Sequence, residues 1–186
     1  MSDVVVPWSL GAVARCITPH QRPRQPGVLP ALIVLHCDAG RTEEGTISWL
    51  ASDKSVGSYH VLVGRDGRSY RFVSDGRCAY HAGRAEWRGF SAVNDLSLGL
   101  CFANRNDGTE PLTAAQVLAA QFWIAHWAGA YPSMRAVTTH AAIARPVGRK
   151  SDPDGQVQHP VTRELVPAVP GFVLAQFTQI LAGVEA

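Results

Sequence analysis

Two histidines and a distant carboxylate are the residues of this chain with the clearest chemical potential. His36 closes the apolar run Ala31-Leu32-Ile33-Val34-Leu35, and the ends of buried strands are where α/β proteins place ligand sites. His140 follows a second short stretch, Ala136 to Thr139, and Asp152 stands further on in the charged loop Gly148-Arg149-Lys150-Ser151-Asp152-Pro153. In an extended segment residues i and i+2 point the same way, so Lys150 and Asp152 can face one site together. Two histidines and one carboxylate make three zinc ligands and leave a fourth position for water, the arrangement of a catalytic site. Spacing alone leaves this open. His36 and His140 are 104 residues apart, and a lone strand-end histidine is more often a satisfied polar residue than a ligand.

The remaining sulfur and charge narrow the classes. Cys16, Cys37, Cys78 and Cys101 are far apart with no CxxC, which favours buried free thiols over a disulfide framework or a zinc ribbon. With 186 residues, 46% apolar and 17% charged, the chain has the length of one domain with a sizeable core. Seventeen Lys and Arg against fifteen Asp and Glu give +2, which excludes a nucleic-acid binder working by bulk charge. No stretch reaches the roughly 18 apolar residues of a membrane span, so no membrane insertion is expected. The start, Met1 to Pro7, carries Asp3 where a signal peptide has Lys or Arg, and Pro7 interrupts it. A product that is cytoplasmic when synthesised, and monomeric, is the expectation.

The elements that must position these residues can be read in outline. Ala31 to Leu35 reads as a central strand buried on both faces. Thr42 before Glu43 and Glu44 predicts a helix N-terminus, with the helix running to about Ser52. Tyr59 to Val63 and Arg68 to Val73 flank Gly64-Arg65-Asp66-Gly67, a hairpin signal. Ser97 to Ala103 is a further strand. Thr113-Ala114-Ala115-Gln116 matches a capping box, and Gly129 marks the expected end of that helix. Ala136 to Thr139 forms a short strand delivering His140, and a last helix spans Phe172 to Ala182. Strands interleaved with helices predict a single α/β domain with a central mixed β-sheet flanked by helices. The Pro- and Gln-rich stretch before residue 30 reads as an arm, placing an N-terminal arm at 1–27 and the domain at 28–186.

Five segments occur in an order that carries a resemblance: Leu35-His36-Cys37, Val56-Gly57-Ser58-Tyr59-His60, Ala79-Tyr80-His81-Ala82-Gly83, Asn94 to Leu100, and Thr139-His140 through Pro153. Together they resemble the zinc-dependent N-acetylmuramoyl-L-alanine amidases of type 2, which include AmpD-type amidases, phage endolysins and peptidoglycan recognition proteins. The resemblance covers about residues 28 to 182. It implies a zinc groove on one side of the sheet, with Zn2+ on His36, His140 and Asp152. It implies catalytic roles for Tyr59 and Lys150 and places His81 and Asn94 along the substrate groove. The implied substrate is bacterial peptidoglycan or a muropeptide. The implied chemistry is hydrolysis of the amide between N-acetylmuramic acid and L-alanine, with zinc lowering the pKa of water from about 15.7 to about 7. Lys150 would stabilise the oxyanion, and Tyr59 would orient the water or pass a proton.

One departure bears on the biological role. AmpD-type members carry a glutamate where this chain has Cys101, and a thiol with a pKa near 8.5 is no ordinary base at neutral pH. Phage-type members also lack the glutamate, so the expectation is a lytic, endolysin-type amidase reaching the wall with a pore-forming partner. The alternatives are an intracellular AmpD-like recycling amidase and a non-catalytic peptidoglycan-binding module. A Ser or Cys hydrolase ranks below these, since no Gly-x-Ser-x-Gly elbow exists.

Overall fold

Strand β3 (Leu32–Cys37) is buried at every position and lies inside a six-stranded sheet of order β1-β5-β4-β7-β3-β8. Its partners are β7 (Ser97–Phe102), also wholly buried, and β8 (Ala136–Thr139), both parallel to it. On the far side of β7, β4 (Val61–Val63) runs parallel, then turns back into β5 (Ser69–Arg71), the one antiparallel pairing in this sheet among the described residues. The edge strand β1 (Val13–Arg15) is parallel to β5. The computed structural model describes residues 13–182, so the reading of Met1 to Pro7 lies outside the described residues.

The two faces of β3 separate by alternation, as the strand period of two requires. Ile33, Leu35 and Cys37 face α3 (Ala114–Ala130) and α5 (Ala175–Ala182), packing with Leu98, Leu100, Phe102, Trp123, Ile124, Trp127 and Phe177. Leu32, Val34 and His36 face the opposite side. There Leu32 and Val34 pack on Ala82, Ala85, Val93 and Ile143. The register sets His36 beside Cys101, at the carboxyl end of the sheet.

Local signals explain most element ends. Thr42 caps α1 (Glu43–Ala51) by accepting from the Gly45 N–H. Thr113 and Gln116 form the reciprocal capping box of α3. The Gln116 side chain also donates to the Ala103 carbonyl at 3.0 Å, pinning the helix start to the end of β7. α3 runs past Gly129, because the Tyr131 N–H still reaches the Trp127 carbonyl and Pro132 is what stops the helix. α5 begins at Ala175 rather than Phe172: after the turn at Pro170-Gly171 the backbone at Phe172 and Val173 is irregular, though Phe172 and Leu174 already pack on the core.

Over residues 13–27 the N-terminal arm packs against the rest of the domain. Besides β1, it contributes β2 (Gln21–Pro23), antiparallel to β6 (Arg77–Ala79). Arg22 binds the buried Asp95 carboxylate in a two-bond fork at 2.7 and 2.5 Å. Arg24 donates to the carbonyls of Asp75, Asp95 and Ser97. Asp95 belongs to the short helix α2 (Val93–Leu96) that leads into β7. A second short helix, α4 (His140–Ile143), follows β8, and a hairpin of β9 (Gln156–Gln158) and β10 (Leu165–Pro167) precedes α5.

Candidate metal centre

His36, His140 and Asp152 converge at the carboxyl end of β3 and β8, all three buried, with one potential ligand atom from each within 4.8 Å of the others. His36 arrives on a strand. His140 is the first residue of α4, whose start is fixed by Thr139 accepting from the Ala142 N–H. Asp152 is carried by a loop tied to α4 through the bond from the Ala141 N–H to the Asp152 carbonyl, 2.9 Å. Thus 104 residues of separation between the two histidines collapse to neighbouring strand ends.

The donor atoms are already sorted. His140 Nε2 lies 3.1 Å from the Ala82 carbonyl, which can only accept, so Nε2 carries a proton, and Nδ1 is turned toward Asp152 Oδ2 at 3.2 Å. His36 Nδ1 is 3.3 Å from the same oxygen yet makes no hydrogen bond, leaving a fully buried polar atom without a partner. Burial pushes His36 down to about 4, partly offset by Asp152, so its ring is neutral at pH 7. Burial alone would raise the Asp152 carboxyl, but the two histidines beside it more than offset this and hold it well below the usual range. Two imidazoles and an ionised carboxylate, with His36 Nδ1 left orphaned between them, are the donor set of a three-ligand divalent-metal site, and the residues fit zinc.

The centre opens into a groove of about 410 Å³ lined by Asp38, Tyr59, His81, Arg149, Lys150 and Asp152, among others. The Tyr59 ring centroid stands 5.1 Å from that of His36. Burial, then the neighbouring Cys101, Asp152 and Asp38, push its hydroxyl pKa well up, so the Tyr59 hydroxyl stays protonated at neutral pH. Lys150 is exposed on the groove wall, and its charge contributes to keeping His36 neutral. Cys101 is fully buried, and burial pushes its thiol far up, which removes it as a base or nucleophile at neutral pH.

Of the two residues expected along the substrate groove, His81 lines it and Asn94 lies behind it. Asn94 is not among the groove-lining residues: its Oδ1 accepts from the N–H groups of His81 and Ala82 and so shapes the loop behind the metal centre. His81 touches the groove but is 6% exposed, with Nδ1 at 3.0 Å from His36 Nε2 and Nε2 at 3.1 Å from Ser97 Oγ. Two groove residues escaped the sequence reading. Asp38 follows His36 by two positions and so shares its face, a periodicity that could have found it; it accepts from Thr46 and from the Asn104 N–H. Arg149 bonds the carbonyls of Arg84 and Arg145 at 2.7 and 2.9 Å, bracing the groove rim. A larger depression of about 640 Å³ between α3, β8 and α5 is lined by no histidine, cysteine or carboxylate.

Comparison with known proteins agrees with this geometry. The profile of a family described as N-acetylmuramoyl-L-alanine amidase matches residues 24–155. No curated protein sequence gives a match. Among solved structures, selenomethionine AmpD is similar with a TM-score of 0.68 and 23% identity, over 92% of this chain and 95% of that one. The E. coli amidase AmiD, solved with anhydro-N-acetylmuramic acid-L-Ala-D-γ-Glu-L-Lys, is similar at 0.60 and 26% identity, over 72% of this chain and 56% of AmiD. The endolysin amidase LysCS from Clostridium intestinale URNW shares the fold at 0.58 and 16% identity, over 95% of this chain and 97% of that one. With a family match spanning most of its length, β3 through the Asp152 loop included, the chain belongs to the type 2 N-acetylmuramoyl-L-alanine amidases.

Proposed function

We propose that the chain is a zinc-dependent peptidoglycan amidase with a lytic, endolysin-type role, cutting the amide between N-acetylmuramic acid and L-alanine. The observation that carries the reading is the trio His36, His140 and Asp152, with an unpartnered His36 Nδ1 turned toward Asp152 at the wall of a groove that also holds Tyr59 and Lys150. The substrate class is supported by AmiD, whose solved complex contains an N-acetylmuramic acid derivative joined to L-Ala.

In this reading His36 and His140 bind through Nδ1 and Asp152 through its carboxylate. A bound zinc ion supplies Lewis acidity and water of lowered pKa. The Lys150 ammonium, on the groove wall, stabilises charge developing on the scissile carbonyl oxygen. The protonated Tyr59 hydroxyl donates a hydrogen bond to the reacting groups and is positioned to hand a proton to the departing amine. Cys101 contributes shape, not proton transfer. Its thiol stands where AmpD-type members are expected to carry a carboxylate, and this favours wall lysis over recycling.

Purified peptidoglycan and a free anhydro-muropeptide, each digested with zinc and with a chelator, test the reading by mass analysis of the products. The expected result is zinc-dependent release of intact stem peptides with free L-alanine amines from the polymer. Cleavage confined to the free muropeptide would point to recycling, and binding without release would leave only a recognition module.

A further inference from the structure

A chain of three side chains runs from the back of the metal centre to a backbone carbonyl, and its proton positions are determined by elementary valence. Ser97 Oγ lies 2.5 Å from the Val93 carbonyl oxygen, which has no proton to give, so the serine hydroxyl donates there. Having spent its one proton, Ser97 can only accept from its other neighbour, His81 Nε2, at 3.1 Å. The His81 proton therefore sits on Nε2, and His81 Nδ1 is a bare lone pair. Facing it at 3.0 Å is His36 Nε2, which must donate. A neutral imidazole has a single N–H. His36 Nδ1 is consequently unprotonated, and it is the atom left without a hydrogen-bond partner beside Asp152 and His140.

We infer that His81 and Ser97 are positioning residues of the metal centre: the chain Val93 carbonyl–Ser97–His81 locks His36 in the tautomer and orientation that present Nδ1 as a ligand. The surrounding structure is built to hold the His81 ring in place. A Cβ added at Gly99 would stand 2.7 Å from His81 Cγ and 2.9 Å from Nδ1, so the ring lies flush on the backbone of β7 at a residue without a side chain. Asn94 holds the backbone of His81 through the bond to its N–H. The His36 and His81 ring centroids are 5.1 Å apart with their planes at 88°, which is compatible with an N–H of one ring meeting the edge nitrogen of the other at 3.0 Å. His140 obtains the equivalent service from the Ala82 carbonyl, the residue next in sequence to His81. One loop, residues 81–82, thus orients both histidine ligands. Partners of this kind typically control metal affinity by about 10- to 100-fold.

This inference rests on His36, His140 and Asp152 being the zinc ligands, and the test separates the two claims. Zinc dissociation constants are measured by competition with a chromophoric chelator for wild type, His36→Ala, His81→Leu, His81→Asn and Ser97→Ala. Melting temperatures of the metal-free proteins monitor folding, and visible spectra of the cobalt-substituted forms report ligand geometry. His81→Leu is expected to weaken zinc binding by about 10- to 100-fold and to alter the cobalt spectrum. His81→Asn, whose Oδ1 replaces Nδ1 as acceptor, is expected to recover most of the affinity. Ser97→Ala is expected to fall between them. Zinc affinity and cobalt spectra unchanged in His81→Leu, with only KM raised, would overturn the inference and return His81 to substrate contact. Asn no better than Leu would overturn it too, because packing of the ring and not its acceptor would then matter. Failure of wild type itself to bind zinc, or undiminished binding by His36→Ala, would instead remove the ligand assignment.

Discussion

Gly99→Ala is the substitution that most directly probes how the sheet supports the metal centre. Gly99 has no positive φ, so its backbone tolerates any residue, and space alone excludes a side chain. The added methyl would lie 2.7 Å from His81 Cγ, about 1 Å inside the ordinary carbon–carbon contact of roughly 3.5–4.0 Å. The ring has little freedom to retreat, being held by His36 at 3.0 Å and Ser97 at 3.1 Å. Overpacking of this kind costs about 1–3 kcal/mol. For a chain of this size each kcal/mol lowers the melting temperature by about 2–4 °C, so a drop of about 2–12 °C is expected in the metal-free protein. The zinc-loaded protein should lose more, since the displaced ring no longer accepts from His36. Thermal melts with and without zinc measure both, and the same change in a His81→Ala background isolates the contact. There the methyl enters vacated space, so the two losses should be strongly non-additive. Equal losses from Gly99→Ala in both backgrounds would refute the picture of His81 packed on bare backbone.

Other expectations concern separate parts of the molecule. Lys150→Ala and Tyr59→Phe should each reduce turnover on peptidoglycan by roughly 100- to 1000-fold while leaving melting temperature and zinc affinity near wild type; normal turnover removes the role assigned. Asp95→Ala should cost about 1–3 kcal/mol, tempered by the partial exposure of Arg22, and should open residues 13–27 to early proteolysis. Because Arg22 holds the Asp95 carboxyl below its ordinary pKa, this stabilisation is complete above about pH 4 and fades as pH falls further; urea melts of wild type and Asp95→Asn at pH 7 and pH 3 should converge at the lower value. His60 is pushed down to about 3 by burial and by the Arg24 charge. The unfolded chain takes up that proton from about pH 6.5 downward while the folded one does not, so stability should fall with a slope of roughly 1.4 kcal/mol per pH unit. In His60→Asn the slope between pH 6 and 4 should be shallower by one proton.

Much of the scaffold was legible because it rests on short-range rules. The buried run before His36, the capping box at Thr113 and the Asp-Gly hairpin signal each report on a few adjacent residues, and the structure carries β3, α3 and the β4–β5 pair where those signals lie. The strands β1, β2, β9 and β10 gave no such signal. Each is three residues long and exists because of its partner: Gln21–Pro23 is extended because Arg77–Ala79 lies beside it and Asp95 holds Arg22. Reading this proline-containing segment as an arm and not as a strand was natural, although proline is tolerated on a two-stranded edge that needs few ladder bonds.

The site divides along the same line. Residue types and order in the chain were enough to name His36, His140 and Asp152 as a possible ligand set, and the family resemblance added Tyr59 and Lys150. Composition was enough to exclude a bulk-charge binder. What only the tertiary structure decided is what each polar atom faces. A sequence shows that His81 is a histidine; it cannot show that Ser97 accepts from one ring nitrogen and His36 donates to the other. Nor can it show that Asn94 spends its carbonyl on the loop behind the groove, or that Asp38 lines it. Tautomer, burial and charge state are set by partners arriving from β3, β7, β8 and the loops between them. Those partners are brought together by sheet register, which is a property of the whole fold.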